Sequence, residues 1–130
     1  MIGSLRLDGS VACMTVAGAT GTEVFRAYVQ QVLAPTLRPG DVVVMDNLAP
    51  HKSDPTLELI AQAGAQVLFL PAYSPDLNPI EKMWSKIKTM LRALEARTQE
   101  SLDQAIAAAL AAVTPRDAVN WFAHCGYSFI

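Results

Sequence analysis

The sequence predicts an α/β protein, a mixed sheet with helices packed on its faces, and three observations carry that class. Asp8-Gly9 separates two strand-like stretches, because glycine accepts a positive φ without steric cost and so closes a hairpin. Within "DVVVM" (41–45) and "QVLFL" (66–70), residues 42–45 and 67–70 are short, continuously apolar runs of the kind found in strands buried on both faces. From residue 79 onward apolar residues recur at helical spacing.

Taken in order, residues 1–7 and 10–17 are the two hairpin strands. Residues 22–34 place Val24, Phe25, Tyr28, Val29, Val32 and Leu33 on one helical face, which Pro35 and the Pro39-Gly40 turn bring to an end. The strand at 41–46 follows, then a short helix over 55–63 stopped by Gly64, then the strand at 66–70. A long helix covers about 79 to 96, and two more cover 99–113 and 116–123. This order puts 1–7, 10–17, 41–46 and 66–70 in one sheet. No internal repeat, low-complexity tract or linker interrupts it.

Composition narrows the function classes. At 130 residues with 52% hydrophobic and 17% charged content, the chain is expected to form one folded domain rather than a disordered segment. A net charge of −2 supplies no bulk positive field, so any nucleic-acid contact must come from a local patch. Cys13 and Cys125 lack CxxC spacing and suit reduced thiols of the cytoplasm. The N-terminus has no continuous apolar segment of the signal-peptide kind, and "AIAAALAAV" (105–113) is too short to span a bilayer. No membrane partner is expected.

Two acids stand out. Asn78-Pro79-Ile80-Glu81 reads as an N-cap, a proline at the first helical position and an acid three residues after the cap, so Glu81 has an ordinary explanation in a capping box. The helix that follows offers another. Ile80, Met83, Trp84, Ile87, Leu91 and Leu94 form its apolar stripe, and Glu81, Ser85, Lys88 and Arg92 form the stripe beside it. Lys82, Lys86 and Arg97 lie further round, on the expected solvated face. Asp46 ends the apolar run 41–45, where an aspartate serves as a turn former or, in open α/β sheets, as part of a ligand site beyond the strand's carboxyl end. A carboxylate at a strand end and one at a helix start can converge on a hard divalent cation such as Mg²⁺ or Mn²⁺.

"VVVMDNLAPHKS" followed by "VLFLPAYSPDLNPIEKMWSKIKTMLR" resembles the catalytic domain of mariner-type transposases, in the bacterial insertion-sequence branch of the DDE superfamily. Asp46 and Glu81 have 34 residues between them, the spacing of that family's second and third metal-binding acids. "GATGTEVFRAYVQQVL" and "NWFAHCGY" extend the resemblance over nearly the whole chain. It implies a ribonuclease-H-like fold in which three acids hold two metal ions, Mg²⁺ or Mn²⁺. Those ions activate water and then a DNA 3′-hydroxyl for attack on phosphodiesters.

The chain departs from the family at its start. The family's first acid lies on a strand upstream of the hairpin, before Met1, and Asp8 is a turn residue that cannot replace it. Residues 1–130 are therefore expected to be the carboxyl-terminal part of a catalytic domain, truncated before the first strand. Two functions stay open: a metal-dependent DNA-cleaving and strand-transferring domain completed by a further segment, or an inactive remnant that binds DNA or associates with an intact transposase. Expected partners are transposon-end and target DNA, with a homo-oligomer or the missing segment as protein partner, in the bacterial cytoplasm at the nucleoid. Lys52, Tyr73, Lys88 and Arg92 are the candidate DNA contacts, the cations for phosphate and Tyr73 for base stacking. Asn47 and His51 are candidate supporting residues, His51 by touching phosphate or by orienting the Asp46 loop, with a hydrogen-bonded structural histidine as the alternative. Trp84 sits on the apolar stripe and belongs with the core, and His124 is structural.

Overall fold

The computed structural model describes residues 1–16, 18 and 20–127, and at Ala49 the backbone alone. Ala17, the predicted end of the second strand, and Ala19 lie outside the described residues. In order the elements are β1 (Ile2–Leu5), β2 (Val11–Met14), α1 (Thr22–Tyr28), β3 (Val42–Met45), α2 (Asp54–Gln62), β4 (Gln66–Phe69), α3 (Ile80–Leu94), α4 (Gln99–Ala111) and α5 (Pro115–His124). The mixed α/β class and the order of elements are those the sequence predicts. The chain divides into two compact units, one made of Met1–Ser4 and Ala12–Asn78, the other of Leu5–Val11 and the chain from Pro79 onward.

In the first unit, the helix predicted over 22–34 continues beyond α1 as a π-helical turn, Val29–Leu33, and a 3₁₀ turn, Ala34–Thr36. Its apolar face supplies Phe25, Tyr28, Val29 and Leu33 to a core completed by Met45, Ile60 and Ala65. Ile2, Met14, Val43 and Val67 pack against that core. The Tyr28 hydroxyl donates to the carbonyl of Ala12 at 2.7 Å, which ties the helix to β2. β3 and β4 run parallel, with Val42 opposite Gln66 and Met45 opposite Phe69, and α2 makes the crossover that parallel strands require.

The expectation of one four-stranded sheet is not met. Among the described residues, β1 pairs with β2 and β3 with β4, in two separate two-stranded sheets. The reading of 41–45 and 66–70 as strands buried on both faces fails with it. Val42 is 51% and Leu68 58% exposed, and Phe69 is 36% exposed. The reason is geometric: each strand of a lone pair has a single hydrogen-bonded neighbour, and only side chains turned to the unit's core are covered. An apolar run encodes burial in the finished sheet and does not name what supplies the cover.

In the second unit, Arg6 and Ser10 close the hairpin turn, with Gly9 at φ +89° and the Asp8 carboxylate accepting from the Ser10 amide at 2.8 Å. Asp8 is thus a turn residue, as its sequence context predicts. Met83 and Ile87 of α3 are buried, as are Ala105 and Ala109 of α4, whose small side chains permit close helix approach. Thr98 with Ser101 and Thr114 with Asp117 form reciprocal capping boxes that start α4 and α5. Lys86, expected on a solvated face, instead donates to the Ala112 carbonyl at 2.8 Å and pairs with Asp117. It fastens the junction between α4 and α5 onto α3. No helix among the described residues is long and apolar enough to cross a membrane.

Candidate active site

β3 ends at Met45, and the next residue, Asp46, is half-buried where the strand gives way to a polar turn. Its carboxylate accepts a hydrogen bond from the Asn78 side-chain amide, Nδ2 to Oδ1, at 3.0 Å. Asn78 is only 8% exposed, so this amide is a buried donor with a fixed purpose. The capping box expected at 78–81 does not form. Pro79 takes the N-cap position of α3, and no side chain caps the helix there. The bond to Asp46 has a carboxylate as its acceptor, and that charge reinforces it.

His51 lies in a 3₁₀ turn, Ala49–Lys52, and its Nδ1 is 3.1 Å from the Asp46 carbonyl oxygen. Its ring packs on Phe25, with centroids 4.3 Å apart. His51 therefore links the backbone of the Asp46 turn to the unit's core. Asn47 is exposed beside it. Lys52 is exposed, with Nζ 5.8 Å from the centroid of the Phe69 ring. Tyr73, in the loop after β4, is fully exposed and holds φ 57°, a left-handed conformation uncommon outside glycine.

In the second unit, Glu81 opens the first turn of α3 and is exposed, as are Ser85, Lys88 and Arg92. The polar stripe predicted beside the apolar one is thus a solvent-facing strip with an acid at its start and two cations along it. Trp84 is half-buried, consistent with its place on the apolar stripe.

The structure brings Asp46, Asn78 and His51 together, with Lys52 in the same turn, and it sets Glu81, Lys88 and Arg92 along one helix. Asn78 is the residue that sequence reasoning misassigned. Its position before Pro79 matches a helix cap, and only the fold reveals a partner 32 residues away. The available signal was chemical: a buried asparagine needs partners for its amide.

Carboxylate oxygens are suitable donors for a hard divalent cation in type. In number they fall short, since the described residues hold no group of three or more His, Cys, Asp or Glu side chains that could bind a metal.

The sequence model of the family described as "DDE superfamily endonuclease" matches residues 1–103. Both Asp46 and Glu81 lie within that match. A 74-residue stretch is 32% identical to the human protein histone-lysine N-methyltransferase SETMAR. That stretch is 56% of this chain and 11% of the relative, so the chain corresponds to a small part of that protein.

Proposed function

Because the chain belongs to the DDE superfamily endonuclease family, we propose that it is the carboxyl-terminal part of a ribonuclease-H-like transposase catalytic domain, of the mariner-type insertion-sequence kind. Its reaction is the cleavage and transfer of DNA strands in transposition. The observation that carries this reading is Asp46 at the end of β3, its carboxylate anchored by Asn78. An acid fixed at a strand's carboxyl end is where α/β folds place ligand chemistry.

Members of this superfamily generally use divalent metals. Bound there, Mg²⁺ or Mn²⁺ would supply Lewis-acid activation of water, and then of a DNA 3′-hydroxyl, for attack on phosphodiesters. From this chain, Asp46 and Glu81 are the carboxylates proposed to serve as ligands, with Asn47 and His51 steadying the Asp46 turn. The third carboxylate comes from a further segment, which pairs with an open edge of the two-stranded sheets or arrives in a homo-oligomer. Edges with no strand partner among the described residues, and the exposed Val42 and Leu68, favour such pairing. Lys52, Lys88 and Arg92 hold DNA by its phosphates, at the nucleoid of a bacterial cytoplasm.

A second reading has one observation in its favour, the lack of a three-donor cluster among the described residues. On it, the chain is an inactive remnant that binds DNA or associates with an intact transposase. One assay separates the two. A labelled end-containing duplex is incubated with Mn²⁺ and the chain, alone or with an upstream strand bearing an aspartate supplied in fusion or in trans. The catalytic reading expects little nicking by the chain alone, restored nicking with the added strand, and loss of that activity in Asp46→Asn and Glu81→Gln. No nicking after complementation supports the remnant.

A further inference from the structure

Resting on the reading that this chain handles DNA, we propose that Tyr73 and Phe69, the latter with Lys52 near its ring, form a stacking site for an unpaired DNA base. Tyr73 is fully exposed, yet its backbone holds φ 57°, where a side chain with a Cβ is strained. The surrounding loop enforces that conformation. Pro71 and Pro75 stiffen it on either side, the Ser74 hydroxyl donates to the Ala72 carbonyl at 3.3 Å, and a 3₁₀ turn, Pro75–Leu77, follows at once. A chain has no packing reason to strain a backbone in order to hold an aromatic ring in water.

Four residues earlier, Phe69 ends β4 with 36% of its surface exposed and the Lys52 ammonium near its ring. Four residues span at most about 14 Å of extended chain, so both rings serve one short stretch of strand. Exposed aromatic faces bind any base through its π surface, and an adjacent cation meets the phosphate that comes with it. Duplex DNA keeps its bases stacked on one another and offers no free face. The site therefore selects single-stranded or locally opened DNA without reading its sequence.

The test uses the full chain and a fluorescein-labelled oligothymidine, compared by anisotropy with a duplex of the same length. The oligothymidine should bind. Tyr73→Ala should weaken it roughly 5- to 100-fold, and Tyr73→Phe should keep the affinity. Phe69→Leu, which preserves apolar bulk but lacks a π face, should also weaken it, and Lys52→Gln should lower both the affinity and the salt slope, the latter by about 0.7. Tyr73→Gly separates stacking from folding: relief of the positive φ should raise the unfolding temperature while single-strand affinity falls. A 5-iodouracil oligonucleotide should photocrosslink to Tyr73 or Phe69. Equal binding by Tyr73→Ala and Tyr73→Phe, or a crosslink confined to other residues, overturns the stacking site. Retained duplex binding in that case leaves the DNA reading standing. Failure of the chain to bind either oligonucleotide removes both.

Discussion

The amide of Asn78 and the carboxylate of Asp46 meet at 3.0 Å across 32 residues of sequence, joining the residue that follows β3 to the residue that precedes Pro79. Asn78→Ala leaves Asp46 without that donor and should destabilise the fold by about 1–2 kcal/mol. Asn78→Asp keeps the shape and sets a second carboxylate against the first, so at neutral pH it should cost more than alanine does. Urea denaturation of the three proteins gives the order. If the aspartate variant matches the wild type, the amide does not donate to Asp46.

Lys86 makes two bonds that span α3, the end of α4 and the start of α5. Both Lys86 and Asp117 keep about a third of their side-chain surface in water, 32% and 28%, which limits the value of the charge pair. Lys86→Met, which retains the stem, should still lower stability by about 1–2 kcal/mol, because the Ala112 carbonyl loses its donor. The Lys86 hydrogen bond also holds the Asp117 carboxyl below its usual range. The stabilisation from that pair is present above the ordinary aspartate value and is lost as pH falls through the lowered one. In acid titrations the gap between wild type and Lys86→Met should therefore narrow as pH falls, down to the part owed to the Ala112 carbonyl.

Gly9 closes the hairpin at φ +89°, and a Cβ built there would lie 2.8 Å from the Pro115 backbone nitrogen. Gly9→Ala thus meets two penalties, a left-handed backbone and a clash with backbone that cannot rotate aside. Its cost should exceed the roughly 1 kcal/mol of the conformational term alone. Thermal unfolding of Gly9→Ala should show this. A loss no larger than that of an ordinary turn glycine would mean the hairpin does not rest on the start of α5.

Much of this was legible because it is local. Asp8-Gly9 announces its turn, "DVVVM" and "QVLFL" announce strands, and the stripe through Met83 and Ile87 announces a buried helix face. The long-range partners were not legible. Asn78 satisfies every local rule for a cap and is used elsewhere, and Lys86 satisfies every rule for a solvated lysine until Asp117 comes alongside. Leu68 reads as core, since an apolar strand residue carries no mark of whether its covering neighbour belongs to the same folded unit. The spacing of Asp46 and Glu81 was legible as a family pattern, whereas the chemistry holding Asp46 in place required the fold.

Burial pushes the Tyr28 phenol up from its ordinary value of 10.0 to about 12, outweighing the opposing hydrogen bond with Ser4. An unfolded chain releases this proton near pH 10, while the folded chain keeps it until about 12. Over that interval the unfolded state binds fewer protons, so stability is complete below pH 10 and falls as the pH rises toward 12. Tyr28→Phe should lose about 1 kcal/mol at neutral pH, from the missing bond to Ala12, and should show a flatter alkaline decline. Denaturation midpoints measured across that range for both proteins give the comparison. Parallel declines would mean another group sets the alkaline limit.

The exposed strip of α3 yields the prediction closest to function. Lys88 and Arg92 lie one helical turn apart and both face solvent. If they hold DNA phosphates, their binding energy comes largely from released counterions, which makes it steeply salt-dependent and indifferent to sequence. Replacing either with glutamine should weaken duplex binding about equally for transposon-end and unrelated DNA. Each substitution should also reduce the slope of log affinity against log salt by about 0.9, and the double variant should lose about twice that. Glu81→Gln, on the same strip, removes a negative charge and should leave the slope unchanged or steeper. Anisotropy titrations at several salt concentrations supply the slopes. A slope unaltered in the double variant would place the phosphate contacts elsewhere on the chain.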